Sequence, residues 1–292
     1  FKTELIRLLN DDQDIPYRRG LLKSNFDRLL AVLDGKSLPA YEVEIQPSYA
    51  CNARCRHCYS ILTTEGTGRL EERLMDKGNM DSVLQTILGW EENGFGVDTV
   101  KFVGTTGDPL VNPHTPHAVE TSKAAGKKVI VFTNGIGFKY TSPDGTPFVE
   151  KLALADKINL SLDAGSDEIL CRVKGTHLKG EFYSIINNFR KIRDLNPDIL
   201  LQASFVVSEY NYNDIALACR LVKETGANRI IYRRNMISSD AIDERRKRLT
   251  ACLLEQAKEY EDRAFKVVEA HSRAEQVSDL VTEHFRSKAH CY

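Results

Sequence analysis

The chain has 292 residues, with 40 Lys and Arg against 41 Asp and Glu, a formal net charge of −1, and 42 % apolar residues. The charge balance argues against a broad nucleic-acid footprint, and the apolar share is enough for a substantial core and excludes a disordered chain. No apolar run approaches the roughly 20 residues that cross a membrane, and seven cysteines without a secretory segment fit a reducing compartment, so a cytoplasmic protein is expected. The chain starts at Phe1 rather than Met and stops just after Cys291; a longer natural protein is expected.

Residues 1–38 read as a helical preamble, with Leu5, Ile6, Leu8 and Leu9, then Phe26, Leu29, Leu30 and Val32, at helical spacing. From residue 39 to 238 short strands alternate with helices. Strands are expected at 41–46, 99–103, 128–132, 157–162, 199–207 and 229–233, and helices near 76–92, 114–125, 147–154, 180–194 and 213–225. Gly126, Gly226 and Asn196-Pro197 stand where helices should stop. Repeated units of this length predict a parallel sheet with its ligand at the carboxyl ends of the strands. Spacing alone does not separate a barrel from a doubly wound sheet. Residues 239–292 form a helical extension. It holds a charged helix with one apolar stripe (Leu249, Cys252, Leu253, Ala257, Tyr260), a strand near 265–268 and a last helix near 273–288.

The chemistry-bearing residues gather after the strands. Behind the first strand stand Cys51, Cys55 and Cys58, spaced C-x3-C-x2-C. Three thiolates suit an iron–sulfur cube and leave one of its four irons open. The other reading is a zinc site with His57 as fourth ligand, although structural zinc sites pair their ligands two by two. Behind the second strand comes Gly104-Thr105-Thr106-Gly107-Asp108-Pro109-Leu110 and behind the third Thr133-Asn134-Gly135. In the fourth strand Asn159, Ser161 and Asp163 alternate with Ile158, Leu160 and Leu162, so three polar groups point away from the helices and need partners. Glu44 in the first strand repeats this pattern, as a substrate contact or an ion pair with Lys101. Gln202, Ser204, Tyr232, Arg233 and Arg234 are candidate substrate groups. Cys171, Cys219 and Cys252 read as small buried hydrophobes, Cys171 also as a candidate hydrogen-atom donor.

The cysteine loop, with the second- and fourth-strand segments in order, resembles the radical S-adenosylmethionine (radical SAM) superfamily over residues 41–235. The resemblance implies an α/β fold: a partial (β/α)6 barrel with the N-terminal preamble and C-terminal extension described above. It implies a [4Fe–4S] cluster on Cys51, Cys55 and Cys58, whose open iron binds S-adenosylmethionine. Reductive cleavage would give a 5′-deoxyadenosyl radical that abstracts a substrate hydrogen. Thr106, Gly107 and Asp108 would hold the methionine amino group, although Thr106 and Asp108 depart from the family's usual letters. Ser161 and Asp163 would contact the ribose, Arg172 or Lys174 the methionine carboxylate, and His57 would flank the adenine, with Asn134 facing the site. Cys291 lies where members bearing a SPASM or twitch domain begin a second iron–sulfur cluster. Expected partners are an electron donor such as flavodoxin or ferredoxin, and a peptide or protein side chain as substrate. The alternatives are oxidation, epimerisation or rearrangement of a small molecule such as an aminosugar or nucleoside, and a non-catalytic metal-binding regulator.

Overall fold

A computed structural model describes residues 25–58, 73–105, 107–176, 179–234 and 244–270. Seven strands form one sheet: β1 (Glu42–Ile45), β2 (Thr99–Phe102), β3 (Lys128–Thr133), β4 (Lys157–Ser161), β5 (Leu200–Val207), β6 (Arg229–Arg234) and β7 (Lys266–Ala270). They stand in the sheet in chain order, and each pairs in parallel with the next. A doubly wound sheet would reverse its strand order at a switch point. None occurs among the described strands, and the sheet curls as an open barrel. The strand expected near 265–268 is β7, and it extends the barrel beyond the six expected strands.

The helices are α1 (Phe26–Leu33), α2 (Lys77–Gly89), α3 (Thr115–Ala124), α4 (Phe148–Leu152), α5 (Asp167–Lys174), α6 (Glu181–Leu195), α7 (Ile215–Glu224) and α8 (Glu244–Lys258). Capping explains several starts. Asp76 accepts the Asn79 amide (2.9 Å) ahead of α2, and Ser166 the Ile169 amide (3.4 Å) ahead of α5. The helix expected to 92 ends at Gly89. The chain then turns through a hairpin, Glu91–Glu92 against Phe95–Gly96, whose loop residues Asn93 and Gly94 have φ of 53° and 81°. Two positive φ values are what a type I′ turn requires, and Asn-Gly supplies them. Helix α5 was absent from the expected pattern.

Period-2 alternation divides the sheet into two faces. Val100, Phe102, Val131, Ile158, Leu160 and Leu201 belong to the fully buried row against the helices. The opposite row faces the barrel lumen and carries most of the sheet's polar and charged side chains. Asn159 and Gln202 pair there through their amides, and Lys101 of β2 pairs with Glu42 and Glu44 of β1. At the amino-terminal side α1 docks through Arg28. Its guanidinium lies over the rings of Tyr41 (5.6 Å) and Phe95 (5.3 Å) and donates to the Gly96 carbonyl at 3.0 Å.

The apolar stripe expected on the charged helix is only partly realised. Ala257 is buried and Leu253 and Tyr260 pack partly buried against the core, but Leu249 and Cys252 are exposed. Cys219 is buried in α7 as expected, its thiol donating to the Ala257 carbonyl at 3.4 Å. Residues 1–24, Thr106 and the span from 271 to Cys291 lie outside the described residues, and with them the first preamble helix and the last helix.

Candidate metal and cofactor site

The loop of Cys51, Cys55 and Cys58 is anchored from below by the end of α5. The last carbonyls of a helix lack intrahelical partners. Here the Arg54 amide donates to the Lys174 carbonyl (2.6 Å), the Arg56 amide to Val173 (3.0 Å) and the Arg56 Nε to Arg172 (3.0 Å). The Arg56 guanidinium also lies 4.7 Å over the Tyr210 ring. Helix α5 ends at Gly175 with φ of 61°, and a Cβ there would sit 2.8 Å from the Arg54 carbonyl oxygen. Glycine is therefore required twice, for its backbone angle and for its lack of bulk.

From the side the loop is met by the segment after β2. The Asp108 amide donates to the Ala50 carbonyl (2.9 Å), and a Cβ on Gly107 would approach the Ser48 and Ala50 carbonyl oxygens to 2.4 and 2.6 Å. Asp108 is buried, and its carboxylate accepts from the Leu110 amide (2.9 Å), the Thr133 hydroxyl (3.0 Å) and the Asn134 amide (2.7 Å). Burial pushes its pKa up, against these hydrogen bonds. Asp108 thus braces the ends of β2 and β3 together.

Asn134 reaches the cysteine loop. Its Nδ2 donates to the Asn52 side chain (2.8 Å) and lies 3.7 Å from the Cys51 sulfur. Ser161 is half-buried on the lumen side of β4. Asp163 has φ of 57° and is the hub of the site. One carboxylate oxygen accepts the Val206 amide (2.7 Å); the other takes the Lys174 ammonium (2.5 Å) and faces His57 Nε2 at 3.4 Å. The Asp163 and Lys174 side chains are each only 2 % exposed. Burial disfavours both charges. Lys174 and His57 together nevertheless outweigh burial at Asp163 and hold that carboxyl well below the usual range, while the carboxylate holds Lys174 above its own. The expected ribose acceptor and carboxylate clamp therefore satisfy each other beneath the loop.

Arg172 stands at the end of α5. Its guanidinium is half exposed and pairs with Glu168 one turn back (2.7 Å), and only its carbonyl meets the loop. Cys171 is partly buried on α5, where Thr176 donates to its sulfur at 3.7 Å. Tyr232 lies on the helix side of β6, its hydroxyl donating to the Ile215 carbonyl (2.8 Å), and so is not a lumen residue. Nothing in the sequence pattern marks Asn112 or Asn211, yet both are fully buried braces. Asn112 holds the Pro47 and Met75 carbonyls, and Asn211 holds those of Asp163 and Val206.

The three cysteines are free thiols, each partly accessible. Burial pushes the Cys51 thiol up and Cys55 to about 11, with Lys174 pulling the other way. Bound metal would reverse that balance, since a coordinated thiol gives up its proton. Among the described residues no three His, Cys, Asp or Glu side chains converge on a single ion position. One tetrahedral zinc needs sulfurs about 4 Å apart; a cube takes each thiolate on a different iron and accepts a wider triangle. His57 is turned to Asp163 rather than to the thiols. A set of three thiolates, with His57 facing Asp163, suits an iron–sulfur cube better than a single zinc.

The family model described as Radical SAM superfamily matches residues 45–228, well over half of the chain. The chain belongs to the radical SAM superfamily. Among curated proteins it is 23 % identical over 172 residues to an S-adenosylmethionine-dependent nucleotide dehydratase of Fibrobacter sp. (strain UWH6), covering 57 % of this chain and 47 % of that protein. It is 29 % identical over 137 residues to a tRNA-2-methylthio-N(6)-dimethylallyladenosine synthase of Lawsonia intracellularis (strain PHE/MN1-00), covering 47 % of this chain and 28 % of that one. The chain thus spans less than half the length of these relatives. Among solved structures, Streptococcus suis SuiB bound to S-adenosylmethionine shares the fold with a TM-score of 0.57 and 16 % identity, over 92 % of this chain and 59 % of SuiB. SuiB bound to its precursor peptide SuiA gives 0.59 at 16 % identity, over 96 % of this chain and 62 % of SuiB. No described helix of this radical SAM chain is long and apolar enough to cross a membrane.

Proposed function

We propose that Cys51, Cys55 and Cys58 hold a [4Fe–4S] cluster and that the chain activates a C–H bond of a substrate seated in the lumen. When bound, the cluster and S-adenosylmethionine supply the one-electron cleavage that yields a 5′-deoxyadenosyl radical. The observation that carries this reading is the docked loop itself: three free thiols held over the strand ends by backbone bonds to α5 and to the segment after β2. Rigid placement of this kind is what the protein contributes when a cofactor does the hard chemistry.

The chain's own groups divide the remaining work. Asp108, Asp163 and Lys174 hold the loop and the strand ends in place. Asn134 donates toward Cys51 and steadies its orientation. The backbone around Gly107 and the Ser161 hydroxyl are the groups left to receive the amino and ribose parts of S-adenosylmethionine. Cys291 remains a proposed ligand of a second cluster, and a flavodoxin or ferredoxin a proposed electron donor.

For the substrate, a peptide or protein side chain is one reading, and the relative crystallised with a precursor peptide is in keeping with it. A small molecule is the other. It is favoured by the charge on the lumen wall, where Lys157, Arg229 and Arg233 cluster, and a relative named as a nucleotide dehydratase is in keeping with that. The test is anaerobic incubation of the reconstituted protein with dithionite and S-adenosylmethionine. Formation of 5′-deoxyadenosine is expected; iron-loaded protein that forms none would leave the metal-binding regulator instead.

A further inference from the structure

The lumen face carries more positive charge than it neutralises. The strand register lines up Glu44, Lys101, Ile130 and Lys157 across β1 to β4. Asn159, Gln202 and Arg229 form the next row, and Val206 and Arg233 a higher one. Lys101 is taken by Glu42 and Glu44, the latter at 3.7 Å. Lys128, at the lower edge, pairs with Asp98 at 3.6 Å. Lys157, Arg229 and Arg233 have no ion pair among the described residues.

Lys157 is half-buried, and the charges acting on it are all positive: Arg229, Lys101 and Arg233. After burial itself, these push its pKa down. A half-buried cation among cations is costly, and a neutral side chain would fill the same space at less expense in stability. An arrangement that works against folding points to a ligand that repays it.

We propose that the lumen binds its substrate through a polyanionic group of the di- or triphosphate class, gripped by Lys157, Arg229 and Arg233. This rests on the radical reading above and names the substrate class for that site. One carboxylate would balance one of the three charges, whereas an oligophosphate carries enough charge and acceptor oxygens for all of them. Guanidinium forks match phosphate oxygens two at a time. The placement also orients the substrate. Lys157 begins β4 and Arg229 begins β6, so the anionic end sits low in the lumen and along the β6 wall. The remainder of the molecule then faces the strand ends, where the cysteine loop lies.

The test is calorimetric titration of the iron-loaded full chain with inorganic tripolyphosphate, and separately with a hexaglutamate peptide. Tripolyphosphate should bind, and Arg229→Gln and Arg233→Gln should each weaken it by about tenfold or more, the loss expected for a hydrogen bond to a charged group. Arg233 is exposed near a strand end, so its replacement keeps the test open should the Arg229 variant not fold. Iron-loaded wild type that ignores tripolyphosphate, or variants that bind it as well as wild type does, overturn the proposal. Tighter binding of hexaglutamate, lost in the same variants, overturns the phosphate class in favour of a carboxylate-rich peptide. Failure of the radical reading shows separately, as absent iron or absent 5′-deoxyadenosine in the wild type.

Discussion

At the residue scale the site depends on a few positions whose neighbours permit nothing else. Gly175→Ala would place a methyl group 2.8 Å from the Arg54 carbonyl at a φ of 61°. The expected cost is about 1–3 kcal/mol, together with reduced iron loading, because the cysteine loop must move. A urea midpoint equal to wild type, with full iron, would refute that. Asp163→Asn leaves the Lys174 ammonium buried without its counter-charge, at an expected cost of about 3–5 kcal/mol. The double variant Asp163→Asn/Lys174→Met should recover much of the loss, and a double-mutant cycle measures the coupling. Additive costs would show that the pair does not act as a unit. The three cysteines and Asp163 are legible from spacing and alternation. The partnership of Asp163 with Lys174 is not, because a sequence shows two charges near a cofactor segment but not which of them face each other.

At the element scale the β/α rhythm is readable because each strand is a short apolar run bounded by helix stops. Strands β1 to β6 accordingly stand within a residue or two of expectation. Helix α5 is missed because its 8 residues carry four charges and span barely two turns, too few for an apolar period to show. Its importance lies in its last carbonyls, which no side-chain pattern can report. Helix α4 is secured differently. Lys151, nearly buried, pairs with Glu120 (3.1 Å) and with Asp144. The Lys151 ammonium and the Thr146 amide hold the Asp144 carboxyl at about 2, below the usual carboxylate value near 4. A lowered folded-state value makes this contribution complete above about pH 4 and removes it as pH falls toward 2. The stability gap between wild type and Asp144→Asn, read from urea midpoints, should therefore narrow from pH 5 to pH 3. A gap that is constant or widens as pH falls would contradict the assignment.

At the scale of the whole molecule, strand order decides the architecture. Alternating elements predict a parallel sheet, but only the unbroken order of seven strands separates an open barrel from a doubly wound sheet. That order brings the ends of β1 to β4 around one loop and leaves a polar lumen beneath it. Alternation in the fourth strand foretells polar groups facing away from the helices. The cationic lumen wall is not foretold, since Lys157, Arg229 and Arg233 come from strands far apart in sequence and become neighbours only through the register. The proposed chemistry depends on the cysteine loop that this architecture holds. The most direct measurement is the iron and sulfide content of anaerobically reconstituted wild type beside Cys55→Ala. About four irons and four sulfides in the wild type, with most of both lost in the variant, is the predicted result, with further irons if Cys291 begins a second cluster. A Cys55→Ala protein that keeps all its iron, or a wild type that takes up zinc in place of iron, would contradict it.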